Sequence, residues 1–356
     1  MQLLVAQKVE YQPFTHGVAE TCQVLYLQTT EAGLICGVHC CISIFTHKCF
    51  LVPYLHQTKM VRKSISFESQ GLKCAAYLYL PDTEEKRPVI VMAHGLGGIR
   101  EMRLDSFAEE FCKVGYACVL IDYRYFGASE GTPRQLLDIE SQIQDWKAAI
   151  DYARHYLEVD HEKVIIWGSS FSGGHVIRLA SEDKNIFAAM SQCPFTDGFA
   201  SAATSNLFTS VKLGALAIAD LVGSKFGRDP IYVPLAGEPS LTAFMTAPDC
   251  LQGYLNLVPD NEDKAKFENK CAARLALQLS TAFPGKRAKD VECPILVCVC
   301  DNDTLAPAET TIAHVKKAKK VVVKQYPYGH FEIYLGDPFE TVLKDQLDFL
   351  KKVAGY

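Results

Sequence analysis

The sequence lacks a dominant charge. Its 36 basic and 41 acidic residues leave a formal net charge of −5. The basic residues are scattered, which argues against a nucleic-acid surface. One lysine-rich piece, HVKKAKKVVVK at His314–Lys324, is short and is expected to be a solvated helix end leading into a strand. Paired cysteine spacing is missing too. There are 14 cysteines, with Cys22, Cys36, Cys40, Cys41 and Cys49 before residue 60 and the others dispersed. That usage predicts buried reduced thiols in an intracellular protein rather than a disulfide framework. Cys298 and Cys300 lie two apart in an apolar run, so a strand puts them on one face, badly placed to bridge each other. Cys36, His39, Cys40, Cys41 and Cys49 match no two-plus-two zinc spacing, and neither metal nor organic cofactor is expected. Nor does the most apolar stretch, Gly33–Leu55, make a clean membrane span. His39, His47 and Lys48 interrupt it, Pro53 sits near its end, and it lies too far from Met1 for an ordinary cleaved signal peptide.

What is present is an ordinary globular composition, 49% hydrophobic and 22% charged over 356 residues. Residues 1–59 show no clear period, and regular patterning starts at Met60. The expected organisation is a poorly ordered N-terminal extension (1–59), a core in two parts (60–196 and 291–356) and a helical lid between them (197–290). Cytoplasmic location follows; an anchor through residues 33–55 is the alternative. From Met60 onward, apolar runs ending in turns alternate with segments of helical spacing. SISF and CAAYLYL read as a hairpin about ESQG. RPVIVMAHG, YACVLIDY, KVIIWG, NIFAAMSQCP, PILVCVCD and KVVVKQYP read as strands. SFAEEFCKVG, DIESQIQDWKAAIDYARHYL, GGHVIRLASE, AETTIAHVKKA and PFETVLKDQLDFLKKVAG read as helices. This is the α/β class, a mostly parallel, doubly wound sheet covered on both faces.

The alternation stops between Asp197 and Asp290. No strand signal occurs there, whereas LFTSVKLGALAIADLVGSKFG and ARLALQLSTAF are helical. So long an excursion predicts a cap over the strand C-termini, where open α/β sheets bind ligands.

The chemistry centres on IIWGSSFSGGHV, Ile165–Val176. A strand, a sharp turn and a helix bring the backbone so close together that a serine at the turn needs small residues two before and two after it. Ser169 is flanked at those positions by Trp167 and Phe171, both too bulky. Ser172 passes sterically but lies further into the helix. Ser170 has Gly168 and Ser172 and is the candidate nucleophile, with Ser172 standing in for the usual glycine; Gly173 supports the turn.

A serine hydroxyl needs a histidine base, a carboxylate to orient it, and donors for an oxyanion. His330 is the one histidine after the last strand. Asp301 and Asp303 both follow a late strand; Asp303, in the loop proper, is preferred. The oxyanion donors are expected to be the backbone N–H groups of Phe171 and of Leu96 in the turn HGLGG, where Gly95 and Gly97 let the backbone approach the substrate. His94 and His175 are expected to be structural, and His314, in a helical pattern, to be solvated or packed.

HGLGG, DYRYFGASEGTPRQ, GSSFSGGH, DNDTLAP and YGHFEIY occur in the order of an α/β-hydrolase, which residues 60–356 resemble over nearly their whole length. The elbow and YRYFGASEG resemble more closely a bacterial and fungal subgroup that includes fungal polyketide transferases and thiohydrolases of secondary metabolism. The resemblance implies an acyl ester or thioester substrate, including an acyl chain held on a carrier protein. It implies a covalent acyl-enzyme resolved by water or, in a transferase, by an alcohol. A serine at position 170 argues against dehalogenase and epoxide-hydrolase chemistry. A peptidase or a non-catalytic interaction protein are the lesser alternatives, and no membrane partner is expected.

Overall fold

Eight strands of residues 60–326 make one sheet, and their order sets the position of everything else. The computed structural model describes residues 40–45, 48–53 and 60–355, except 84, 156–158 and 205. The chain divides into two units, Met1–Gln57 and Thr58–Tyr356. In the first, β1 (Cys40–Phe45) and β2 (Lys48–Pro53) pair antiparallel. The expectations of a disordered extension and of a non-zinc cysteine–histidine set concern positions or side chains outside the described residues.

In the second unit, β3 (Met60–Ser69) and β4 (Leu72–Pro81) form the predicted hairpin about Gln70–Gly71. Then follow β5 (Arg87–Ala93), α1 (Leu104–Lys113), β6 (Ala117–Ile121), α2 (Ile139–His155), β7 (Val159–Ser169), α3 (Phe171–Glu182) and β8 (Ala188–Gln192). Beyond the insertion come β11 (Ile295–Cys300), α8 (Ala308–Val315), β12 (Val321–Tyr326) and α9 (Gly336–Ala354). The sheet order is β12-β11-β8-β7-β5-β6-β4-β3. The run from β12 to β6 is parallel, and β4 and β3 join antiparallel. Val89–Ala93 of β5 and Val164–Trp167 of β7 are fully buried, as strands covered on both faces must be. Since β6 lies on one side of β5 and β7 on the other, the chain reverses direction across the sheet there. The loops after β5 and β7 therefore face each other at the carboxyl ends, the usual ligand crevice of such sheets.

The insertion leaves from the end of β8. It holds α4 (Gly198–Ala202), α5 (Leu207–Lys225), α6 (Cys250–Leu255) and α7 (Leu275–Leu279). The expectation of no strand here needs correction: β9 (Tyr232–Val233) and β10 (Cys271–Ala272) pair antiparallel. Two residues each are too few for an alternation to register in sequence. Asp220 of α5 is buried and accepts bonds from Arg274 Nε at 2.8 Å and Nη2 at 2.9 Å, and from the Ile231 N–H at 2.8 Å. This pair fixes α5 to the strand pair and α7. The nine cysteines of the second unit are all free thiols, and Cys298 and Cys300 are both buried.

Candidate active site

Ser170 sits at the junction of β7 and α3 with φ 57° and ψ −117°, a backbone conformation that side-chain-bearing residues rarely adopt. Its neighbours are small for a steric reason visible in the structure. A Cβ on Gly168 would overlap the Ser172 carbonyl, and one on Gly95 would stand 2.9 Å from Ser170 Cβ. Gly97 has φ 64° and packs under Leu235, and Gly173 backs onto Pro194. The turn after β5 and the turn after β7 are thus in direct contact, as the switch point requires.

The structure brings three distant residues into one hydrogen-bonded line. Ser170 Oγ lies 2.9 Å from His330 Nε2, and His330 Nδ1 lies 2.7 Å from Asp303 Oδ2. Asp303 is held by its other oxygen, which accepts the N–H groups of Leu305 at 2.8 Å and Ala306 at 2.7 Å. Asp301 takes no part: it is exposed and accepts from Gln325 Nε2 at 3.0 Å. Burial disfavours a charged His330, but the Asp303 carboxylate, with Cys193 beside the ring, outweighs it and moves the imidazole pKa well above its ordinary value. A line of this kind can take the hydroxyl proton onto imidazole while the carboxylate fixes the ring and stabilises its cation.

Leu96 and Phe171 both line the cavity that Ser170 and His330 open into. Phe171 is the first residue of α3, where helix N–H groups have no intrahelical acceptor. The cavity has a volume of about 250 Å³ and is walled in large part by residues of the insertion. Its walls include Phe195, Leu213, Phe244, Met245 and Leu277, and among the described residues no Asp, Glu, Lys or Arg lines it. The insertion is tied to the turn after β5 by Tyr254 Oη, which donates to the Leu96 carbonyl at 2.6 Å.

Several residues that hold this geometry escaped the sequence. Ser172 is more than a small residue. Its hydroxyl donates to the His94 carbonyl at 2.5 Å and meets Tyr123 Oη, which accepts from Trp146 Nε1 at 2.7 Å. It thereby joins the nucleophile turn to the HGLGG turn. The rejected Ser169 also has a place. Its Oγ bonds Tyr334 Oη and accepts from Gln192 Nε2 at 3.2 Å. Gln346 Nε2 donates to Gln192 Oε1 at 2.7 Å, and Gln346 Oε1 accepts from Trp167 Nε1 at 3.0 Å. The serine in place of the second elbow glycine was the available signal for Ser172; Gln346, far along the chain on α9, offered none.

The three histidines set aside are structural in position. His94 Nδ1 bonds the Gly95 carbonyl at 2.9 Å, and burial lowers its pKa to about 4. His175 Nε2 donates to Gln142 Oε1 at 2.9 Å, and burial lowers its pKa to about 3. His314 Nε2 lies 3.2 Å from Asp197 Oδ2. Among the described residues, one group of three potential metal ligands comes together: Cys193, Asp303 and His330, whose ligand atoms lie within 4.8 Å of one another. Asp303 and His330 already bond each other, so a metal there would displace the proton between them.

A model of the X-Pro dipeptidyl-peptidase (S15) family matches residues 70–232. The quorum-quenching protein AidA of Acinetobacter baumannii (strain MDR-ZJ06) is 51% identical over 290 residues, 82% of this chain and 94% of that protein. The thiohydrolase aneE of Aspergillus aculeatus is 27% identical over 80% of this chain and 90% of its own. The polyketide transferase grgF of Penicillium sp. is 25% identical over 82% and 96% respectively. The crystal structure of the α/β hydrolase GrgF from Penicillium sp. sh18 superposes with a TM-score of 0.68, covering 83% of this chain and 100% of that one at 24% identity. Being 51% identical to AidA over 82% of its length, the chain belongs to the family of that quorum-quenching protein, and it has the fold of the solved α/β hydrolase.

Proposed function

We propose that the protein is a serine hydrolase that cleaves an acyl ester or thioester through a covalent acyl-enzyme. The observation that carries this is the line Ser170–His330–Asp303, with bonds of 2.9 and 2.7 Å, opening onto the cavity that the insertion walls in large part. His330 takes the Ser170 proton as Oγ bonds to the acyl carbon. The Leu96 and Phe171 N–H groups receive the oxyanion, and collapse expels an alcohol or thiol that His330 protonates. Water activated by the same imidazole then releases the acid. The apolar, uncharged walls suit an uncharged acyl chain. They offer no carboxylate for a peptide's amino terminus, which speaks against the peptidase alternative. The relative named quorum-quenching suggests an acylated quorum signal as the substrate.

A second reading, transfer of the acyl group to an alcohol, has its own support. A second cavity of about 550 Å³, with His175, Gln278 and Thr281 among its lining residues, shares Phe171, Phe195 and Leu277 with the acyl cavity. An acceptor lodged there would reach the acyl-enzyme past these three side chains. The test is a panel of aryl esters and acyl thioesters, run with and without alcohol acceptors and with Ser170→Ala as control. Release of free acid in every case supports hydrolysis. New esters formed in proportion to acceptor support transfer. No Ser170-dependent turnover of any member contradicts both.

A further inference from the structure

The outer surface of the lid helix serves no purpose in the chemistry above, and it is the most apolar exposed face on the described molecule. Helix α5 is long and apolar enough by composition to cross a membrane, yet little of it is buried. Its residues divide cleanly. Thr209, Ser210, Leu213 and Gly214 turn inward and line the acyl cavity. Leu207, Phe208, Val211, Ile218, Val222 and, just past its end, Phe226 face solvent, with Phe226 78% exposed and Leu207 79%. The same division holds for α4, where Gly198, Ser201 and Ala202 line the cavity while Phe199 is 74% exposed. An exposed apolar face of this kind marks a binding surface.

Charge says what binds. The charged residues of α5 are Lys212, Asp220 and Lys225. Asp220 is buried in its pair with Arg274, whereas both lysines are exposed. The outward charge of the helix is therefore positive, in a chain whose net charge is −5. An apolar face flanked by lysines fits the interface of an anionic bilayer, with the apolar side chains among the acyl chains and the ammonium groups at the phosphates. The buried Asp220–Arg274 pair and the cavity-lining inner face fit a helix lying in the interface rather than one spanning it. A second copy fits less well. In a two-fold pair this face would meet itself, and whether the two helices ran parallel or antiparallel, lysine would be set near lysine.

We propose that α5 docks the protein on an anionic phospholipid surface and so holds the acyl cavity, which the inner face of the same helix lines, close to the lipid in which long-chain acyl compounds reside. Docking itself does not depend on the acyl chemistry and is measured without turnover. The experiment is flotation of the full chain with vesicles of phosphatidylcholine alone and of phosphatidylcholine with phosphatidylglycerol. Wild type is expected to float with the anionic vesicles and weakly or not at all with the neutral ones. The triple variant Val211→Ser, Ile218→Ser, Val222→Ser should lose binding by more than about tenfold. Lys212→Gln and Lys225→Gln should each weaken it about fivefold. None of these residues lines the cavity, so hydrolysis of a short, water-soluble ester should be unchanged in all variants and reports an intact fold. Three results would overturn the proposal: no vesicle binding by wild type, binding equally strong in the triple variant, or a dimer in light scattering that the triple variant abolishes in the absence of lipid binding.

Discussion

Ser170 carries backbone strain that its surroundings must hold in place. A φ of 57° at a serine costs about 1–3 kcal/mol, and it is tolerated because Gly95 and Gly168 leave the space into which the turn folds. Gly95→Ala would put a methyl group 2.9 Å from Ser170 Cβ. Displacement of the nucleophile by a few tenths of an ångström is expected to lower kcat about 10–100-fold, with the folded state retained by circular dichroism. The charge pattern makes a second prediction. His330 must be neutral to accept a proton, and Asp303 raises its pKa. Activity should therefore rise with pH along a limb set above the ordinary histidine value. In Asp303→Asn that limb should move to lower pH, and the maximal rate should fall about ten-thousand-fold; a pH profile of kcat/KM reads both. At this scale much of the site was legible. The bulk of Trp167 and Phe171 singles out Ser170 from its neighbours, and chain order points to His330. The roles of Ser169 and Ser172 were not legible, because their partners Tyr334, Gln192, Tyr123 and the His94 carbonyl are distant in sequence.

Among the elements, the β7–α3 elbow is tied down on two sides. Ser172 ties it to the turn after β5, and Ser169 to the segment after His330 through Tyr334, four residues on. Behind these, Gln346 of α9 satisfies Trp167 Nε1 and Gln192 Oε1. Gln346→Leu would leave two buried polar groups without partners, a loss of about 2–4 kcal/mol expected in urea denaturation. A change within a few tenths of a kcal/mol would show that the network is not cooperative with folding. Buried strands were readable because β5, β7 and β11 are short continuous apolar runs ending in turns. The start of α3 at Phe171 was not, because SFSGG carries no helical period. Nor was the division of α5 into a cavity face and a solvent face: its sequence is apolar nearly all round, so periodicity does not report which side is buried.

Across the whole molecule, two buried neutral histidines link stability to pH. His94 and His175, with pKa values lowered by burial to about 4 and about 3, stay unprotonated in the fold below pH 6.5, while the unfolded chain takes up protons. Stability from each is complete above pH 6.5 and is lost as pH falls, by about 2 kcal/mol between pH 7 and 5. Asp122, raised to about 6 chiefly by burial, acts in the opposite sense and offsets about 1 kcal/mol over the same interval. His175→Gln should accordingly lose about 2 kcal/mol less than wild type between pH 7 and 5 in chemical denaturation. Equal losses would mean that His175 is protonated in the fold. The α/β alternation itself was legible from residue 60 onward, but the order of strands was not. Nothing local to RPVIVMA or KVIIWG says that β5 and β7 adjoin, and that long-range pairing is what sets Gly95 against Ser170. The central claim is that Ser170 becomes acylated, and labelling by a fluorophosphonate tests it most directly. Peptide mass spectrometry should find a single adduct, on Ser170, that is absent in Ser170→Ala and strongly slowed in His330→Ala. An adduct on another residue, or equal labelling of wild type and Ser170→Ala, would contradict it.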